Sequence, residues 1–159
     1  MKNIFLLLGS NLGNKSDNLQ LAIDLLSSFF HTTQRSHLYE SEPWGIEEQP
    51  IFYNQVIKGH SLLSPEDLLQ AVLEVEQQMG RERKQKWGER LIDIDILYYG
   101  EQICDQPDLQ IPHPQIQNRR FTLVPLCEIA PGLAHPIFKK TQAQLLEICP
   151  DQLNVEIKK

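Results

Sequence analysis

The run from Asn3 to Leu8 is apolar and ends in Gly9-Ser10-Asn11-Leu12-Gly13, which predicts a buried central strand followed by a tight turn. From Lys15 to Phe30 the apolar residues Leu19, Ala22, Ile23, Leu26 and Phe30 recur at three and four, the period of a helix that lays one stripe on a sheet. Gln34 to Tyr39 alternates as a second strand would. Glu40 to Pro50, with Pro43, Gly45 and Pro50, reads as a long connection, and Phe52 to Gly59 resumes as a strand. Ser64-Pro65-Glu66-Asp67 is a helix start, with Ser as N-cap and Pro in the first turn; Leu68, Leu69, Val72, Val75, Glu76 and Met79 carry that helix to Gly80. Leu91 to Tyr99 is a further long strand, and Gly100-Glu101 predicts a hairpin turn into Gln102 to Asp105. Beyond it, Ile111-Pro112-His113-Pro114 is held extended by its prolines, and Arg119 to Ile129 is a short helix with a period broken at Pro125. Thr141 to Cys149 is a capped final helix, and Val155 to Ile157 an edge strand.

The order strand, helix, strand, strand, helix, strand predicts an α+β fold of the ferredoxin-like βαββαβ plan. Two helices would pack on one face of a mainly antiparallel sheet, with C-terminal additions. At 159 residues the chain is expected to form a single domain, 1–159, able to hold a core without staples.

Composition narrows the class. Cys104, Cys127 and Cys149 form no Cys-x-x-Cys pair, which speaks against a disulfide framework and a thiolate zinc site. No long apolar stretch or leader pattern appears, so a soluble cytoplasmic protein without membrane attachment is expected. A net charge of -6 disfavours nucleic acid as a partner. Positive charge is nevertheless concentrated between Gly80 and Arg90, at Arg81, Arg83, Lys84, Lys86 and Arg90.

That basic segment runs into Leu91-Ile92-Asp93-Ile94-Asp95-Ile96-Leu97. On a strand Ile92, Ile94 and Ile96 face one side, and Asp93 and Asp95 stand about 7 Å apart on the other. Two such charges repel by about 2 kcal/mol at an effective dielectric near 20. A divalent cation that prefers oxygen ligands converts the repulsion into a binding site, and the neighbouring cations suit a polyphosphate. Gly9-Ser10-Asn11 offers backbone N–H groups but lacks the spacing of a P-loop or a dinucleotide site. Phe52 and Asn54 share a strand face, where they could stack on and hydrogen-bond to a flat heterocycle. His113, between two prolines, is restricted in backbone as an imidazole aimed at a ligand would be. On these residues alone two other readings stay open. One is a nucleotidyltransferase using Gly9-Ser10 with Asp93 and Asp95, although those elements lie far apart in sequence. The other is an RNA-binding ferredoxin-like module, against which the acidic balance counts.

In combination the motifs are more specific. Over nearly its whole length the chain resembles the 6-hydroxymethyl-7,8-dihydropterin pyrophosphokinase family of folate biosynthesis. The resemblance lies in Gly9 to Gly13, Tyr39 to Gly45, Gln49 to Phe52 with Asn54, Gly80-Arg81-x-Arg83, Trp87-Gly88-x-Arg90 through Leu97, and Ile111 to Pro114 through Arg119-x-Phe121. It implies transfer of the β,γ-diphosphoryl group of ATP to the hydroxymethyl oxygen of 6-hydroxymethyl-7,8-dihydropterin, leaving AMP, with two Mg2+ ions. The same likeness makes Asp93 and Asp95 the metal ligands and Arg81 and Arg90 the cations acting on the transferring group. Glu76, Arg83, Lys86, Trp87, Ile96, His113 and Arg119 would serve the ATP site. Ser41, Pro43, Trp44, Gly45, Phe52, Asn54 and Phe121 would form the pterin pocket. Lys86 stands where the family often has Arg, and Glu89 where it commonly has Pro, which alters one phosphate contact and the stiffness of that segment. Small-molecule substrates and a monomer complete the expectation.

Overall fold

The structure, a computed structural model, describes residues 1–43, 50–80 and 91–159. Strand β1 (Ile4–Ser10) is buried along its whole length. Its neighbours are β4 (Phe52–His60) on one side and β5 (Asp93–Tyr99) on the other, both antiparallel. The far edge of β4 pairs with β2 (His31–Arg35) and β3 (Tyr39–Ser41), and β8 (Val155–Ile157) extends the sheet beyond β3. The order β5-β1-β4, continued by β3 and β8 and with β2 also on β4, fits the expected ferredoxin-like plan.

Helices α1 (Lys15–Leu26) and α2 (Pro65–Gln78) cover one face of this sheet. Each starts on a side-chain cap: Asn14 accepts the Asp17 N–H at 3.2 Å, and Ser64 accepts that of Asp67 at 3.2 Å. Leu19, Ala22, Ile23 and Leu26 of α1, with Leu68, Val72 and Val75 of α2, pack on Ile4, Leu6, Leu8, Ile94 and Ile96. Full burial of each Leu or Ile is worth about 1.5–3 kcal/mol, so the regular period of these stripes sets the layer.

The C-terminal additions form a second helical layer on the opposite face. Leu123 and Leu126 of α3 (Arg120–Ile129) and Leu145 of α4 (Gln142–Glu147) meet Phe5, Leu7, Val56 and Tyr98. This layer covers only part of that face. A β-bulge helps to shape it: Leu6 pairs with Ile96 and Phe5 with Tyr98, leaving Leu97 as the extra residue of β5. Leu97 and Tyr98 consequently both join the α3 and α4 side, while Ile96 and Tyr99 belong to the α1 and α2 side. The Leu97 carbonyl accepts the N–H of His113 at 3.0 Å.

Two elements differ from expectation. Gln34 to Tyr39 is not one strand; β2 ends at Arg35 and β3 begins at Tyr39. Between them the Ser36 hydroxyl accepts the Val56 N–H at 3.0 Å, and the His37 N–H turns away to the Glu128 carboxylate at 3.0 Å. A side chain has thus replaced a ladder position. The segment after Gly100 does not fold back on β5 either. Gly100, at φ 57°, donates its N–H to the Asn3 carbonyl at 2.8 Å, and β6 (Cys104–Gln106) pairs instead with β7 (Leu109–Ile111) in a separate hairpin. Among the described residues no helix is long and apolar enough to cross a membrane.

Candidate active site

Where α3 and α4 stop, the second face of the sheet is open, at the C-terminal end of β1 and the N-terminal ends of β4 and β5. A cleft of about 570 Å3, open solvent at its mouth included, occupies this space. Leu7 and Gly9 of β1 form its floor together with Phe52 and Asn54 of β4. Ser41 and Glu42 stand on one flank, Asp93 and Asp95 on the other, and Arg119 and Phe121 at the start of α3 close the side.

The polar floor is tightly built. Asn54 is 3% exposed, and its Nδ2 donates to the Ser41 hydroxyl at 2.6 Å. The Ser41 oxygen is therefore an acceptor in that bond, which leaves its own proton to donate elsewhere. Gly9 makes this arrangement possible: a Cβ there would lie 2.8 Å from Oδ1 of Asn54 and 3.7 Å from the Phe52 ring. An apolar ring beside a buried amide and hydroxyl is the lining that a flat, polar-edged heterocycle requires.

At the other flank the chemistry is ionic. Asp93 and Asp95 project from β5 on the cleft side while Ile94 and Ile96 enter the core, as their alternation predicts. Burial lowers the pKa of Arg119, and Asp95 and Asp93 push it back up. The Arg119 guanidinium carbon also lies 5.6 Å from the centroid of the Phe121 ring.

His113 approaches Asp95 from the edge of the sheet, Nε2 to Oδ1 at 4.0 Å. Its Nδ1 accepts the Gln115 N–H at 3.1 Å, so the ring proton resides on Nε2, the nitrogen that faces Asp95. Burial first, then Arg119, lowers the His113 pKa to about 4 against an opposing pull from Asp93. A neutral imidazole at 4.0 Å presents an N–H dipole to Asp95, not an ion pair. A second cleft, about 640 Å3 with open solvent included, lies here between β5, α2 and the β6–β7 hairpin, lined by Leu69, Ile94, Ile96, Leu109 and His113 among others. Asp95 lines both clefts.

Two carboxylates on one strand face suit a hard cation that keeps waters and takes further oxygens from phosphates, as Mg2+ does. Among the described residues no group of three or more His, Cys, Asp or Glu side chains is placed to hold a metal ion.

Residues 5–131 match the sequence model of a family described as 7,8-dihydro-6-hydroxymethylpterin-pyrophosphokinase (HPPK). The chain belongs to this family. Among its relatives, the 2-amino-4-hydroxy-6-hydroxymethyldihydropteridine pyrophosphokinase of Aquifex aeolicus is 41% identical over 140 residues, 88% of each chain. The enzyme of the same name from Pseudomonas aeruginosa is 39% identical over 152 residues, 94% of this chain and 93% of its own. In fold, the crystal structure of wild-type Plasmodium falciparum HPPK-DHPS matches 91% of this chain with a TM-score of 0.74 at 16% identity, and the match spans 44% of that longer chain. The chain is a pyrophosphokinase of folate synthesis, passing a diphosphoryl group from ATP to hydroxymethyldihydropterin.

Against that background the structure sorts the residues expected to serve pyrophosphokinase chemistry. Ser41, Phe52, Asn54, Phe121, Asp93, Asp95 and Arg119 are brought together in one cleft, and Ile96 and His113 line the other. Pro43 follows Glu42 at the rim without being among the lining residues. Glu76 lines neither cleft; its Oε2 accepts the Ile94 N–H at 2.9 Å. Trp44, Gly45, Arg81, Arg83, Lys86, Trp87 and Arg90, with Glu89, lie outside the described residues. Leu7 and Glu42 carry no motif that marks them as lining residues, and Gly9 stands in a Gly/Asn run that predicts a turn. Gly9 is in fact within β1, opposite Asn54 and Asp93, and a glycine inside an apolar strand was the available signal of a close approach.

Proposed function

We propose that the pyrophosphokinase divides its substrates between the two clefts: 6-hydroxymethyl-7,8-dihydropterin over the sheet, ATP along the edge of β5. The observation that carries this reading is Asp95, whose position in both linings suits the point where acceptor and donor meet. Phe52 and Phe121 would hold the pterin ring, and Asn54 and Ser41 would bond its polar edge, with Pro43, Trp44 and Gly45 completing the pocket. Leu69, Ile96 and Leu109 give the ATP base an apolar seat, and His113 and Arg119 lie toward its phosphates.

In the reaction the hydroxymethyl oxygen attacks the β-phosphorus of ATP, and the bond from that phosphorus to the oxygen bridging to the α-phosphate breaks. AMP leaves with the electron pair, and the hydroxyl proton passes to solvent. The transition state of such a transfer is loose, so positioning and charge stabilisation dominate and no strong base is needed. Asp93 and Asp95 would hold two Mg2+ ions, which neutralise phosphate charge. Arg81 and Arg90 are the proposed cations at the transferring group; Arg83, Lys86 and Trp87 are assigned to ATP. Neutral His113 can donate its Nε2 proton to a phosphate oxygen without protonation. The reading is completed by residues 1–159 acting as one domain, in the cytoplasm and as a monomer.

The test is incubation with ATP, magnesium and 6-hydroxymethyl-7,8-dihydropterin, followed by separation of the nucleotides. AMP and the pterin diphosphate are expected in equal amounts. Release of ADP, a nucleotidylated pterin or no turnover would each overturn the reading.

A further inference from the structure

Glu76 is an anomaly for a helix stripe. It lies in the last turn of α2 (Pro65–Gln78), where the helix macrodipole disfavours an acid, and it is only 3% exposed. Burial of a carboxylate at such a position lowers stability unless its oxygens are put to use. One oxygen, Oε2, accepts the backbone N–H of Ile94 at 2.9 Å.

Ile94 is the residue between Asp93 and Asp95. In an antiparallel pair successive residues turn their N–H groups alternately toward and away from the partner strand. Since the Ile94 N–H goes outward to Glu76, those of Asp93 and Asp95 turn toward β1, where the two residues pair with Gly9 and Leu7. Among the described residues β5 ends the sheet, and no further strand takes its outward donor there. The dipeptide step that spaces the two aspartates is thus gripped from both sides, by β1 at its ends and by Glu76 in its middle.

We propose that Glu76 is a positioning residue that fixes the spacing and direction of Asp93 and Asp95 through the Ile94 amide, and so sets their affinity for a divalent cation. This rests on the assignment of the two aspartates as metal ligands. Outer partners of metal ligands typically contribute about 10–100-fold to metal affinity. They do so by restricting the ligand before the ion arrives.

The experiment measures Mn2+ binding by electron paramagnetic resonance, with a non-hydrolysable ATP analogue present, alongside hydrogen exchange at the Ile94 amide. Glu76→Gln keeps an acceptor of the same reach and is expected to hold Mn2+ within about threefold of the native chain, with the Ile94 amide still protected. Glu76→Asp keeps the charge but is one methylene short, and Glu76→Ala keeps neither. Both should lose about tenfold or more in affinity and expose that amide. If Glu76→Ala does not fold, the Gln and Asp pair decides. Native affinity in Glu76→Asp, or equal losses in Gln and Asp, would overturn the proposal, because charge or direct contact and not reach would then matter. A change in melting temperature with unaltered Mn2+ affinity in all variants would overturn it as well, leaving a purely structural carboxylate. AMP formation by the native chain is scored separately, so a failed reaction assignment does not pass for a failed positioning role.

Discussion

The second face of the sheet has a sealed half and an open half, made from the same strands. Along β1, Phe5 is under α3 and α4 while Gly9 is in the cleft; along β4, Val56 is sealed and Asn54 and Phe52 are open; along β5, Tyr98 is sealed and Asp93 and Asp95 are open. The backbone is continuous and the ladder is antiparallel throughout both halves. What differs is side-chain volume and polarity within a few residues of one strand. Rigid pairing in the sealed half therefore fixes the geometry of the open half without occupying it, the arrangement that precise positioning of reacting groups requires.

The sharpest way to break this division is Asp95→Ala. Turnover should fall on the order of 10³-fold, with magnesium no longer restoring it, while the melting temperature changes little because lost attraction to Arg119 offsets the relieved repulsion from Asp93. AMP release and a thermal melt measure both, and retained activity would sink the metal assignment. The complementary change is Leu126→Ala in the sealed half, at a fully buried position. It should destabilise the chain by about 2–5 kcal/mol in urea unfolding and leave kcat of the folded fraction nearly unchanged. A loss of kcat without a loss of stability would show that the halves are not separable.

Smaller effects refine the boundary. Gly9→Ala places a methyl against the Asn54 amide and should raise KM for the pterin about tenfold, with KM for ATP unchanged. Equal shifts in both would place Gly9 in a shared role instead. Smallest is the pH response of the tie at Glu128. Burial pushes its carboxyl up, but the hydrogen bonds from Tyr39 and His37 and the His37 charge outweigh this, and the net shift is downward from 4.5. A lowered carboxylate pKa stabilises the fold above 4.5, and that contribution disappears as pH falls through the folded value. Glu128→Gln should flatten this part of the acid unfolding curve without touching KM for either substrate. A curve identical to that of the native chain would remove Glu128 from the account.

Legibility in the sequence followed the range of the physics. The Ser64-Pro65 start, the stripe of α1 and the Asp93-Ile94-Asp95 alternation depend on neighbours three or four residues away at most, and the structure contains all three, with α1 ending at Leu26, short of Phe30. The family resemblance likewise groups Ser41, Asn54, Phe52 and Phe121, which line one cleft. Strand partnership was less accessible. The segment after Gly100 could be recognised as extended, but its choice of Leu109–Ile111 over β5 depends on contacts remote in sequence. Glu76 falls in the apolar stripe of α2, where spacing alone assigns it to packing and the family resemblance to the ATP site; its bond to the Ile94 amide depends on a strand remote in sequence. Gly9 carries no side chain to read, and its purpose is set by an amide on the neighbouring strand.

The extra residue at Leu97 works as a parity switch. Upstream of it, even-numbered Ile94 and Ile96 face α1 and α2; downstream, Tyr99 takes that side and Tyr98 the other. Sliding β5 by a single residue along β1 would drive Asp93 and Asp95 into the helix-packed core and turn isoleucines out to the cleft. A one-residue slip misplaces side chains on both stretches of β5, because the two obey opposite parities about the bulge. The pair of charges proposed to serve the reaction therefore also makes a one-residue register error at this strand costly.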